Sequence, residues 1–139
     1  MIGTWIGTYK YSNTKDIDYN AVAVHFTILI EHFDGKHFSG TIRDEDHDFG
    51  TKGEGTVEGR IENDQIHFVK KMPIATMRTT EGNRIELPKK KHRPIHYSGK
   101  LNAENDYSGK WKIKKFIHFG FPLYISFGNK GTWELRKSE

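Results

Sequence analysis

At 139 residues the chain can enclose one sizeable core, and with no cysteine it has neither disulfides nor thiolate chemistry. Nine Phe, six Tyr and three Trp make it too aromatic for a disordered segment, and no run supplies the roughly 20 apolar residues of a spanning helix. A formal charge of +4 permits weak attraction to anions but, without a recognition motif, is no nucleic-acid signature.

Short alternating runs separated by turn chemistry recur along the chain. Gly3–Tyr11 is the first, followed by a polar loop through Asp18. Ala21–His32 is the second, closed by Asp34-Gly35, a pair that favours a type I′ hairpin. Lys36–Asp44 follows, and an acidic loop, Asp44–Asp48, leads through Gly50 and Gly53 into Glu54–Ile61. Asn63-Asp64 is a second tight-turn pair, and Gln65–Met72 the fifth run. Ile95–Leu101, Tyr107–Lys115 and Thr132–Lys137 complete a set of eight. Helical spacing is sustained in none of them.

Two segments depart from a plain meander. Between Met72 and Pro94, residues Thr76–Leu87 about Glu81-Gly82-Asn83 form a candidate extra hairpin, followed by the basic run Lys89–Arg93. Phe116–Phe127 is dense in aromatic residues, and portal, plug and homodimer contact are all open readings of it. No linker divides the chain. The expected fold is therefore all-β, a single antiparallel up-and-down β-barrel of about eight strands spanning residues 1–139, because closure removes exposed edges.

The period of two along a strand separates inside from outside. In the seventh run Tyr107, Gly109, Trp111 and Ile113 share one face, while Ser108, Lys110, Lys112 and Lys114 share the other, which must be exterior. The same rule places Trp5, Gly7, Tyr9 and Tyr11 inside, with Phe26, Ile28, Ile30, Phe38, Gly40 and Ile42. Gly55, Val57, Gly59 and Ile61 follow, then Ile66, Phe68, Lys70, Ile95, Tyr97, Gly99, Leu101, Trp133 and Leu135. Inward glycines either leave volume for a guest or relieve crowding where rings oppose them.

Gly3-Thr4-Trp5 at the start and Thr132-Trp133-Glu134-Leu135-Arg136 at the end resemble the calycin pattern of lipocalins, fatty-acid-binding proteins and avidins. The resemblance implies a barrel-closing stack of Arg136 on Trp5, worth about 0.5–2 kcal/mol. Phe38-Ser39-Gly40-Thr41, Gly59–Ile61, Ile66–Lys71, Tyr97-Ser98-Gly99 and Ser108-Gly109-Lys110-Trp111 are similar to phrases in small bacterial lipocalin-like barrels. The chain lacks the disulfides and C-terminal helix of ordinary lipocalins and the two-helix lid of fatty-acid-binding proteins, so the resemblance speaks to fold and to function only by analogy.

Polar groups on the inner face are Tyr9, Tyr11, Lys70 and Tyr97, with Asp44 at a strand end. A buried lysine is costly unless paired, so an inward Lys70 calls for an anion, phenol or carboxylate beside it. The candidate ligand site is Trp5, Tyr9, Tyr11, Phe26, Phe68, Lys70, Tyr97 and Trp111: polar anchors for one end of a ligand and rings for its apolar body. Against it stands a lysine that snorkels from a strand end into water. No metal or cofactor is expected, since Asp44–Asp48 lacks the spacing of a calcium loop and the histidines lack zinc spacing.

No nucleophile elbow, phosphate loop or dinucleotide fingerprint occurs. Asp44 and Tyr97 are the acid–base pair from which an enzyme at the barrel mouth would be built. The leading expectation is instead a non-enzymatic barrel holding a small, largely apolar or amphipathic ligand. The alternative is a filled barrel acting through its surface, by self-association through Phe116–Phe127 or by weak anion binding, with no specific nucleic-acid partner. Met1-Ile2 runs into the first strand without a signal-peptide pattern, so the cytoplasm is the expected location.

Overall fold

The computed structural model describes residues 1–12, 22–45, 50, 53–78, 84–87, 93–114, 116–118, 124–126 and 129–138. Twelve strands are present among them and no helix: β1 Gly3–Tyr11, β2 Val24–Phe33, β3 His37–Asp44, β4 Glu54–Glu62, β5 Gln65–Lys71, β6 Ala75–Arg78, β7 Arg84–Leu87, β8 Ile95–Leu101, β9 Tyr107–Ile113, β10 Phe116–His118, β11 Tyr124–Ser126 and β12 Asn129–Lys137. Eight of them close into one antiparallel barrel in the order β1-β12-β9-β8-β5-β4-β3-β2, the expected up-and-down meander. Closure comes from β1 pairing β12, with Tyr9 opposite Trp133 and Trp5 opposite Lys137.

The two irregular segments supply the other strands. β6 pairs β7 as an extra hairpin between β5 and β8, as read from the sequence around Thr76–Leu87. β10 pairs β11 between β9 and β12, where the sequence offered no strand. β12 also begins three residues before the expected Thr132, because Asn129 and Lys130 pair with Ile113 and Lys112.

The β2–β3 hairpin forms, but not through a type I′ turn. Gly35 has φ +99°, while Asp34 keeps a negative φ. The Asp34 carboxylate instead accepts hydrogen bonds from the Lys36 and His37 amides at 2.9 and 2.6 Å, an Asx turn built by a side chain that imitates backbone. At Asn63, φ of +57° makes the tight β4–β5 turn between paired Glu62 and Gln65.

Alternation is realised strand by strand. Trp5, Tyr9, Phe26, Ile28, Ile30, Phe38, Ile42, Val57, Ile66, Phe68, Tyr97, Trp111, Trp133 and Leu135 are all buried within one core. An eight-stranded barrel is just wide enough for such side chains to fill. The inward glycines relieve crowding. A Cβ on Gly7 would stand 2.5 Å from the Phe26 ring, and one on Gly99 would stand 2.7 Å from the Trp133 ring. Gly99 lies directly opposite Gly109, and beside this bare patch the Trp133 indole N–H donates to the carbonyls of Ser98 and Lys110 at 3.2 and 3.1 Å.

Barrel topology also sorts the connections. The turns β2–β3, β4–β5 and β8–β9 share one end with the chain's N-terminus. The longer connections β1–β2, β3–β4, β5–β8 and β9–β12 all leave from the other. Tyr11, Asp44, Lys70 and Trp111 belong to that second end.

Candidate functional site

Near the long-connection end three strands place polar groups into the otherwise apolar interior. β3 ends on Asp44, opposite Phe26; β5 carries Lys70, opposite Val57 on one side and Ile95 on the other; β1 carries Tyr9, opposite Val24. Lys70 and Asp44 are fully buried, and the Lys70 ammonium donates to Asp44 Oδ1 at 2.5 Å. The Tyr9 hydroxyl donates to the other carboxylate oxygen at 3.0 Å. The pairing anticipated for an inward Lys70 is therefore made with a carboxylate, and the ammonium does not snorkel into water.

The surroundings of this trio are aromatic. Lys70 Nζ lies 4.8 Å from the Tyr9 ring centroid and 5.8 Å from that of Phe26. Tyr97 stacks on Phe68 with centroids 4.6 Å apart and touches Phe26 at 6.4 Å. Tyr11 meets Trp111 edge-on at 4.9 Å, and Trp111 meets Tyr9 at 5.8 Å. Of these rings Tyr11 alone is only half-buried, which makes it the outermost member of the group.

Among the described residues the Lys70 ammonium has more donors than hydrogen-bond acceptors. Lys70 has three N–H donors, and Asp44 is its one hydrogen-bond acceptor among the described residues. Among the described residues its ammonium also lies over the faces of Tyr9 and Phe26, a weaker interaction than a hydrogen bond to oxygen. Burial pushes the Lys70 pKa down, opposed by the neighbouring Asp44 carboxylate. The Tyr9 and Tyr97 phenols are pushed well above their ordinary value, first by burial and then by the negative charge of Asp44.

The structure thus draws six of the eight candidate ligand residues into one group: Tyr9, Tyr11, Phe26, Lys70, Tyr97 and Trp111. Phe68 adjoins it through Tyr97, whereas Trp5 sits near the short-turn end, against Tyr107 at 5.9 Å, with its indole N–H donating to the Met1 carbonyl at 2.8 Å. The stack of Arg136 on Trp5 does not form. Arg136 lies opposite Ile6 on the outward face and is exposed, because Trp133 and Leu135 already take the inward positions of β12. Asp44, which sequence reasoning reserved for an acid–base pair with Tyr97, is instead the partner of Lys70 and Tyr9.

Among the described residues no cluster of three His, Asp or Glu side chains is placed to hold a metal ion; residues 46–48 of the acidic loop lie outside them. No described helix is long and apolar enough to cross a membrane. Of the segment Phe116–Phe127, on which the homodimer reading rests, Phe119, Phe121, Leu123 and Phe127 lie outside the described residues.

Fold and interior together define a small closed up-and-down β-barrel with a buried charged centre, an arrangement consistent with a calycin-like fold. Comparison with protein-family models, curated proteins and solved structures finds no match to this chain.

Proposed function

We propose that this barrel binds a small, largely apolar molecule bearing one hydrogen-bond-accepting oxygen, without chemical turnover. The observation that carries this reading is the Lys70 ammonium, fully buried yet provided with a single acceptor among the described residues. A carbonyl, hydroxyl or carboxylate oxygen from a guest would satisfy it, and Tyr9, Tyr11, Phe26, Tyr97 and Trp111 would cover the apolar body. Mostly apolar sites with few convergent polar groups, placed in barrel mouths, are the usual form of such binding. With Trp5, Phe38, Phe68 and Trp133 buried and in ring contact with their neighbours, the guest would lie in the half of the barrel nearest the long connections.

Native mass spectrometry of gently purified protein tests the reading, with Trp111 fluorescence following any guest. A retained mass of a few hundred daltons, roughly one drug-sized ligand, that leaves on unfolding is expected. Tyr97→Phe and Lys70→Met are expected to weaken retention while near-ultraviolet circular dichroism shows the barrel intact. A bare mass under every gentle condition, with no change of fluorescence across apolar ketones, alcohols and carboxylic acids, would sink the proposal. It would favour the filled structural barrel, for which the ring-occupied space beside Gly7 and Gly99 already speaks.

A further inference from the structure

The outer face of three neighbouring strands carries an unbalanced charge. β5, β8 and β9 pair consecutively, with His67 opposite Ser98, Ser98 opposite Lys110, and His96 opposite Lys112. Their outward positions are Gln65, His67, Val69 and Lys71; His96, Ser98 and Lys100; and Ser108, Lys110 and Lys112, followed by exposed Lys114 just past the end of β9. Five are lysines, two are histidines and none is acidic. Those five lysines by themselves exceed the formal net charge of +4 for the whole chain. None of them makes an ion pair or hydrogen bond with another side chain among the described residues.

The acidic neighbours of this face stand on the flanking strands, Glu58 and Glu62 opposite Val69 and Gln65 and Glu134 opposite Ser108, and leave its lysines uncompensated. Lys112 lies directly opposite Lys130 of β12, and like charges in such positions oppose one another. The neighbouring cations hold the His67 and His96 pKa values down further: burial acts first, then Arg60 and Lys112 on His67, and Lys114, His67 and Lys112 on His96. A shallow groove crosses the same face, floored by Gly99 and Gly109 and flanked by Arg60, Lys100 and Lys110, with Glu62, ion-paired to Lys36, at its β4 side.

We infer that the β5-β8-β9 face docks the phosphodiester backbone of a nucleic acid without reading its bases. Charge complementarity selects a polyanion, and repulsion along the bare face is relieved when phosphates enter it. Base reading is not provided for, because the Phe, Tyr and Trp side chains of these strands point into the barrel. A membrane surface fits less well, since the exposed large hydrophobic residues among those described, Ile2 and Leu29, lie before β1 and on β2, away from this face. This inference is independent of the interior ligand site.

Fluorescence anisotropy with a labelled DNA duplex of mixed sequence, over a series of salt concentrations, tests it. The expected dissociation constant is about 10⁻⁴–10⁻⁶ M at physiological salt, with a log–log salt slope of about −3 to −4.5 for three to five neutralised phosphates. Lys110→Glu with Lys112→Glu should lower affinity at least about tenfold, a loss of about 1.4 kcal/mol. Arg43→Glu with Arg136→Glu, an equal charge change elsewhere, should leave it nearly unaltered. NMR titration should show the His67 and His96 pKa values rising when duplex is bound. Equal losses in the two double variants, no binding at low salt, or binding to phosphatidylserine vesicles but not to duplex would each overturn the inference.

Discussion

Replacing Lys70 by Met removes the cation and leaves the Asp44 carboxylate buried with the Tyr9 phenol as its one partner from the trio. Removing one member of a buried ion pair costs about 3–5 kcal/mol, most of it the uncompensated charge left behind. Domains of this kind have about 5–15 kcal/mol in total, so about a fifth or more of the stability is at stake. For a chain of this size the thermal midpoint should fall by about 10–20 °C. Urea unfolding followed by tryptophan fluorescence, alongside calorimetry, measures both. The decisive comparison is Lys70→Met with Asp44→Leu and Tyr9→Phe, which removes both charges and the phenol of the trio together. Exchanging a buried pair for packed apolar groups is often neutral or stabilising by about 1–4 kcal/mol, so the triple variant should recover most of the loss. A single variant destabilised by less than about 1 kcal/mol, or a triple variant as unstable as the single, would refute the assignment of a buried, coupled pair.

Tyr9 and Tyr97, with folded pKa values well above 10.0, should stay protonated while exposed phenols ionise. Their contribution is complete below the unfolded value and lost at higher pH, so a phenolate absorbance titration should show a late step coincident with unfolding. His67 and His96 have folded values below 6.5, so their contribution is present above that pH and lost as pH falls through the folded values, as an NMR titration run beside thermal melts will show. Gly99→Ala drives a methyl group into the Ser108 carbonyl and the Trp133 ring and should cost about 1–3 kcal/mol in urea unfolding, with a changed tryptophan spectrum.

The eight barrel strands and most of their inward residues were legible in the sequence because period two is a local property. Phe26, Tyr97 and Trp133 each stand between two polar neighbours, and burial of one strand face is sufficient to orient them. Lys70 was legible as an inward lysine for the same reason. The Arg136 stack illustrates how local alternation outranks an analogy: with Trp133 and Leu135 inside, Arg136 had to point out. The short β10 strand, by contrast, left no sustained alternation to read.

What the lysine meets was a matter for the tertiary structure. Asp44 and Lys70 are separated by 26 residues and by the whole of β4, and Tyr9 lies 35 residues before Asp44. Periodicity says which way each side chain points but not at what height around a closed barrel it will stand. That height depends on the stagger accumulated from strand to strand, including the shift in β2–β3 pairing between Ile30 and His32. The same holds for the outer cations, which become one face only when β5 takes β8 as its neighbour across the β6–β7 insertion. Composition and alternation determined a barrel with aromatic contents; register, which is a property of paired backbones, decided that Lys70, Asp44 and Tyr9 meet inside it and that five lysines gather outside.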